Sequence, residues 1–302
     1  MRKIIVIGSS NTDIMIQTSH LPQPGETVLG YEVQMNQGGK GANQAVAVKR
    51  LGGNLVFMTK LGNDYFGEQT LKAFHKEGIK TDYVLVDDHA KTGTAIICVE
   101  DSGENAIVVA PGANDLITIQ DLEAVLEVMS SEDILLMQLE IPVSTVAFAV
   151  QKAFEKGVKV VLNPAPARQI PKSVLRDLYL ITPNRIEAEL LTGVKINEEQ
   201  DLATAAQLLS EMGVKNVIIT LGDKGCFVKE GERSYRVDAF KKKAVDTTAA
   251  GDTFNGALCV ALAEGFDLRQ AAVFASKASS ISVTRTGAQS SIPYRNELAY
   301  TR

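Results

Sequence analysis

Short unbroken runs of apolar residues, rich in Val and Ile, punctuate this chain at residues 4–7, 56–59, 134–137, 158–162, 179–181 and 217–221. A strand with one wet face alternates apolar and polar residues. A continuous apolar run instead reads as a strand buried on both faces, so these segments predict the interior strands of a sheet covered on each side. Between them the apolar positions shift to helical spacing, as in Leu122, Val125, Leu126 and Met129, or Ala203, Ala206, Leu209 and Met212. Alternating strands and helices imply βαβ units, hence an α/β fold with a mostly parallel central sheet flanked by helices.

Two regions break that rhythm, at residues 12–35 and 92–109. In the second, Thr94, Ile96 and Cys98 on one side and residues 107–109 on the other flank Asp101, Ser102 and Gly103, the chemistry of a tight reversal. We expect a single domain over 1–302 carrying a small β-sheet lid built from these two regions. An exposed sheet face of that kind invites a homodimer through the lid. Near the carboxyl end, Phe254, Leu258 and Leu262 recur every four residues within 249–265 and predict a helix with one apolar face. A second helix over 268–282 carries Ala271, Phe274, Ala275 and Ala278, small enough to pack closely on the first.

Composition narrows the function classes. Charged residues make up 22% of the 302 and the formal net charge is −5, which argues against nucleic acid as a partner. The basic run at 241–243 reads as a solvated turn. Cys98, Cys226 and Cys259 are odd in number and widely spaced, which fits free thiols in a reducing compartment better than a disulfide framework. His20, His75 and His89 lack metal-ligand spacing. The first apolar run is too short for a signal peptide, and no run reaches the roughly 18 residues of a membrane span. A cytoplasmic protein without a membrane partner is expected.

The densest chemistry lies in VDTTAAGDTFNGA at 245–257. The first amides of a helix have no internal acceptor and sit at the positive end of its dipole, so Ala249, Ala250 and Gly251 are candidates for an anion hole that cradles a phosphoryl group in transfer. Asp252, in the first helical turn, is the candidate general base; an isolated Asp there could equally be an acid favoured by the dipole. The glycine cluster at Gly38, Gly39 and Gly41 lacks the spacing of a Walker A loop, and no GxGxxG fingerprint follows any strand-like run, so a P-loop or dinucleotide enzyme is disfavoured. Asn11 and Asp13 after the first strand are turn residues or, together, a pair for sugar hydroxyls. Asn184 alone reads as a helix N-cap.

The segment DTTAAGDTFNGA resembles the carboxyl-terminal signature of the phosphofructokinase B family of carbohydrate kinases, and GGKGANQA at 38–45 resembles its amino-terminal signature, with Lys40 as in members that act on ribose. The likeness runs from GSSNTDI at 8–14 through TRTGAQSSIP at 284–293. It implies ATP-dependent phosphorylation of ribose at its primary hydroxyl, with another sugar such as deoxyribose, fructose or ketodeoxygluconate, or a non-catalytic sugar-binding regulator, as alternatives. By the same resemblance Asn11, Asp13, Gly39, Lys40, Asn43, Glu140 and Asp252 would bind the sugar. Asn184, Thr220, Leu221, Gly222, Asp223, Lys224, Gly225, Gly251 and Ser276 would bind ATP, with Ser276 standing where relatives carry His or Asn beside the adenine. Asp246, Thr248, Ser282, Arg285, Gly287 and Ser291 would hold K+, and Glu187 would influence Mg2+ through water.

Overall fold

The computed structural model describes residues 2–299. Strand β1 (Lys3–Ile7) opens a large sheet, β2 (Asn11–Thr18) and β3 (Glu32–Gly38) leave it, and β4 (Asn54–Gly62) and β5 (Tyr83–Asp87) return to it. The chain leaves again through β6 (Gly93–Glu100) and β7 (Asn105–Ala110). It then completes the large sheet with β8 (Ile134–Met137), β9 (Lys159–Leu162), β10 (Leu180–Ile181), β11 (Asn216–Thr220), β12 (Cys226–Glu230) and β13 (Arg233–Val237). Among the described residues the large sheet has nine strands in the order β13-β12-β11-β10-β9-β8-β1-β4-β5, parallel except where β12 pairs with β11 and β13.

The unbroken apolar runs occupy the interior, as expected. Ile4 and Val6 point to one core, with Phe57, Leu136 and Ile218, while Ile5 and Ile7 point to the other, with Met58, Leu135 and Ile219. The strands' two-residue period thus divides one apolar run between two covered faces. The helices are α1 (Lys40–Arg50), α2 (Tyr65–Lys76), α3 (Glu123–Glu127), α4 (Val143–Glu155), α5 (Lys172–Leu175), α6 (Arg185–Thr192), α7 (Glu199–Glu211), α8 (Ala250–Ala263), α9 (Leu268–Ser282) and α10 (Arg295–Ala299). Helices α1, α8 and α9 supply the first core, and α4 and α7 the second.

Two expectations change. The helix expected around Leu122 to Met129 is one short α-helical stretch preceded by a 3-10 turn, and Met129 lies beyond it, where the Asp133 carboxylate takes the Ser130 amide and ends the helix. Helix α8 has no single apolar face: every residue from Asp252 to Ala263 is buried. Spacing of the large residues alone missed this because small ones do the packing. A side-chain carbon on Gly256 would lie 2.5 Å from Ala47 Cβ and 2.9 Å from the Gln44 carbonyl, so Gly256 lets α8 cross α1 at close range. That crossing brings Asn43 and Gln44 against the start of α8.

A second sheet, in the order β3-β2-β6-β7, stands apart from the first. The hairpin at 101–103 joins β6 to β7, with Gly103 at φ 89. Register places Ile14 beside Met35 and Ile96, and Ile96 beside Val108, so one face is apolar while Asp13 points to the other.

Candidate active site

The amino end of α1 is held by acceptors from elsewhere in the chain. Gly39, at φ 84, turns the chain off β3 where a side-chain carbon would strike the Asn11 amide at 2.7 Å. The Lys40 amide then donates to Glu140 Oε2 at 2.9 Å, the Gly41 amide to Ser9 Oγ at 3.3 Å, and Ser9 Oγ itself to Glu140 Oε2 at 2.6 Å. Glu140, expected as a sugar ligand, therefore also caps this helix with a carboxylate at the positive end of its dipole. Asn11 is buried, and its Oδ1 accepts from Asn114 Nδ2 at 2.7 Å. Asn114 itself escaped the sequence reading.

At the start of α8, Ala249 sits in the left-handed region at φ 57, a conformation that costs a non-glycine residue about 1–3 kcal/mol and recurs at functional sites. One expectation is corrected here: the Ala250 amide is not free, because it donates to the Thr247 carbonyl at 3.2 Å. The candidate anion hole reduces to Ala249 and Gly251, whose amides have no protein acceptor among the described residues. A side-chain carbon on Gly251 would meet nothing within 4 Å beyond its chain neighbours and its own helix backbone, so the helix start faces open space at this residue.

Asp252 is buried, with Oδ2 accepting from Asn43 Nδ2 and Oδ1 from Gln44 Nε2, each at 2.9 Å. Burial raises its pKa, while Lys40 and the two amides pull it back. Burial works against the Lys40 charge, yet Asp252, Glu140, Glu187 and Asp13 around it leave its pKa raised. Asp13 is pushed up to about 6, first by burial and then by the charges of Glu140 and Asp252. Its carboxylate has no hydrogen-bond donor among the described residues, and the Oδ1 of Asn43 is buried without a partner. Acceptors left bare beside the half-buried Lys40 cation suit a ligand rich in hydroxyl donors.

A cavity of about 500 Å³ opens on the other side of the α8 start. Of the residues expected to bind ATP, Thr220, Gly222, Asp223, Gly225, Gly251 and Ser276 line it, while Leu221, Lys224 and Asn184 are not part of its wall. The sequence reading missed the facing loop, with Phe240, Lys241 and Lys242, and the α9 residues Ser279 and Ser280. Asn184 and Glu187 form a capping box: the Glu187 amide donates to Asn184 Oδ1 at 2.9 Å, and the Asn184 amide to Glu187 Oε2 at 2.8 Å. Burial raises the Glu187 pKa, opposed by the Asn184 amide and Lys40.

Next to this cavity Asp246 joins two loops, accepting from the Thr248 and Gly287 amides at 2.8 Å each. Those bonds outweigh burial and lower its pKa. The Asp246 amide bonds the Val283 carbonyl, and the Arg285 amide the Ser282 carbonyl, which draws in the 282–285 turn; Ser291 is fully buried nearby in sequence. The Arg285 side chain pairs with Glu297 and so points its charge elsewhere. A larger open depression of about 670 Å³ beside Arg50, Arg285 and Arg295 has its guanidinium groups paired with Glu77, Glu297 and Glu264.

A buried carboxylate and open helix amides, between a bed of polar groups and a cavity at the carboxyl ends of parallel strands, define a phosphotransferase acting on a small hydroxyl compound. The pfkB family carbohydrate kinase model matches residues 1–295, and the chain belongs to this family. It is an enzyme, a sugar kinase. It is 45% identical over 298 residues to a ribokinase of Haemophilus influenzae, covering 98% of this chain and 97% of that one. The crystal structure of a ribokinase from Thermotoga maritima superposes with TM-score 0.90 at 40% identity, covering 99% of this chain and 98% of that one. An Arabidopsis thaliana ribokinase complexed with ribose and ATP gives TM-score 0.90 at 32% identity, with 99% and 97% covered. Among the described residues no helix is long and apolar enough to cross a membrane.

Proposed function

We propose that the protein transfers the γ-phosphoryl group of ATP to the primary hydroxyl of D-ribose, giving ribose 5-phosphate and ADP, with Asp252 as general base. The observation that carries this reading is the setting of Asp252. It is buried, tied to Asn43 in the glycine-rich segment and one residue from the open amide of Gly251. Full-length similarity to ribokinases, one of them solved with ribose and ATP, favours ribose over other sugars.

Asn11, Asp13, Gly39, Lys40, Asn43 and Glu140 hold the sugar against Asp252, which takes the proton of the attacking hydroxyl while the amides of Ala249 and Gly251 receive charge on the transferred group. ATP lies in the cavity lined by Thr220, Gly222, Asp223, Gly225 and Ser276, with Leu221 and Lys224 beside them in the chain and Asn184 bridged to Thr220. Glu187 would reach Mg2+ through water, since both its oxygens already accept from Asn184; the metal when bound neutralises phosphate charge. The Asp246 carboxylate with oxygens of Thr248, Ser282, Arg285, Gly287 and Ser291 is a hard donor set suited to K+, which would order the loop beside the anion hole. The work is cytoplasmic, in keeping with three free cysteines.

Release of ADP, measured across ribose, deoxyribose, fructose and ketodeoxygluconate in potassium and in a large organic cation, tests the reading. Ribose is expected to have the highest kcat/KM, and its turnover to fall sharply without potassium. Equal rates in both salts would remove the cation assignment, and a higher kcat/KM for another sugar would remove ribose.

The small sheet is proposed as a lid over the sugar, since Asp13 lies on its inner face. Its outer face exposes Val33 at 64%, Met35 at 56% and Val108 at 70%, and β7 is an apolar edge strand exposed along its length. Such an edge needs cover, and a second copy supplies it. Light scattering is expected to give twice the chain mass, and Val108→Lys with Met35→Lys the monomer. A native monomer at micromolar concentration would refute the dimer.

A further inference from the structure

Asp252 rests on a buried chain of four side-chain amides and one threonine, contributed by five separate elements or strand ends. Gln44 of α1 donates through Nε2 to Asp252 Oδ1 at 2.9 Å and to Asn163 Oδ1 at 3.0 Å, while its Oε1 accepts from Gln138 Nε2 at 2.6 Å. Asn163, just after β9, donates to the Thr182 carbonyl at 3.3 Å; the Thr182 hydroxyl donates to Asn255 Oδ1 at 2.6 Å. Asn255 closes the path by donating to the Gly251 carbonyl at 2.9 Å. Gln138, Asn163 and Thr182 follow the carboxyl ends of the adjacent strands β8, β9 and β10, so the rigid sheet reaches Gly251 and Asp252 through this network.

Gln44 is fully buried, and its amide has the same orientation forced on it from two sides. The carbonyl oxygen must face the donor of Gln138, which leaves the amino group facing Asp252 and Asn163. With the amide locked in this way, its donor hydrogen stays aimed at the carboxylate. We infer that Gln44 is the positioning residue that fixes the Asp252 carboxylate in the orientation and ionised form that the phosphoryl transfer uses. The inference rests on the reading of Asp252 as the base. Asn43 holds the other carboxylate oxygen from the sugar side and so reports substrate contact, whereas Gln44 lies behind the carboxylate, toward the sheet.

The charged groups facing Asp252 are Lys40, Glu140, Asp13 and Glu187. Only Lys40 among them favours its ionised form, so loss of the Gln44 donor is not made up by a neighbour. In Gln44→Met, a near-isosteric change without polar groups, kcat is expected to fall about 10- to 100-fold, the range set by one hydrogen bond to a charged group. The acidic limb of the kcat profile is expected to move to higher pH, because the carboxylate loses a donor that stabilises its charge. Sugar and ATP affinities measured by calorimetry stay within about threefold of native, since Gln44 touches neither ligand in this reading.

Gln44→Glu supplies a second variant if the methionine destabilises the fold. It keeps the bond from Gln138 but cannot donate to Asp252 while ionised, and the same displaced limb is expected. A folded variant of either kind with native kcat and an unmoved limb overturns the inference. Loss of stability with an unmoved limb does so too, because a purely structural role would give that pattern. Asp252→Asn measured alongside separates the two levels: native turnover there overturns the base and this inference together. A large loss there beside a native Gln44→Met removes Gln44 alone.

Discussion

Asp252→Asn is expected to lower kcat by about 10² to 10⁴ while the chain binds its sugar and melts as the native protein does, or slightly higher. The amide has the shape of the carboxylate but cannot accept a proton at working pH. Stability is spared for a specific reason. Burial already disfavours the Asp252 charge, so a neutral group at that place removes a desolvation cost. Single-turnover kinetics, calorimetric sugar binding and a thermal melt together check this outcome. A kcat within a few fold of native would remove Asp252 from the role of base.

Gly251→Val is expected to lower kcat by about 10² to 10³, the usual effect of disabling an oxyanion-type donor, again without loss of stability. A buried glycine replaced by a larger residue ordinarily disrupts its surroundings, as the 2.5 Å approach at Gly256 would. At Gly251 nothing beyond its chain neighbours and its own helix backbone lies within 4 Å of the added carbon, and a helical glycine is less favourable than other residues by up to about 1 kcal/mol. The new side chain therefore enters the open space at the helix start, where Gly251 lines the cavity. Affinity for ATP is expected to weaken along with kcat, while sugar binding holds. A variant with native turnover would move the transferred phosphate elsewhere; one that fails to fold would contradict the open space.

Both expectations separate catalysis from stability, and the separation follows from how the site is built. The two groups proposed to act, the Gly251 amide and the Asp252 carboxylate, sit on consecutive residues of one helix. The neighbours of Asp252 are side chains that hold it, while the neighbour of Gly251 is solvent. The inner strands were legible because an unbroken apolar run has few other homes than a doubly covered sheet. The hairpin around 101–103 was legible because the turn residues dictate the backbone locally. The segment at 245–257 was legible because small residues at a helix start leave amides without an acceptor inside the helix, a property of a few consecutive positions, and the segment at 38–45 through its resemblance to a family signature. Even there the local reading overreached: it left the Ala250 amide free, whereas the turn closed by the Thr247 carbonyl takes it.

What the sequence by itself determined was thus local: which segments form strands, where the chain reverses, and which helix start offers amides and a carboxylate to a phosphoryl group. Only the tertiary structure decided the partners of that carboxylate. Gln44, Gln138, Asn163, Thr182 and Asn255 are ordinary polar residues in five different stretches, and no spacing links them. They meet because β8, β9 and β10 end at one level and because Gly256 lets α8 press against α1. The loop at 239–244 that lines the nucleotide-sized cavity, and the Glu140 cap on α1, were hidden for the same reason. Backbone conformation is set by neighbours in the chain, whereas hydrogen-bond partners and the burial that shifts a pKa are set by the register of distant elements.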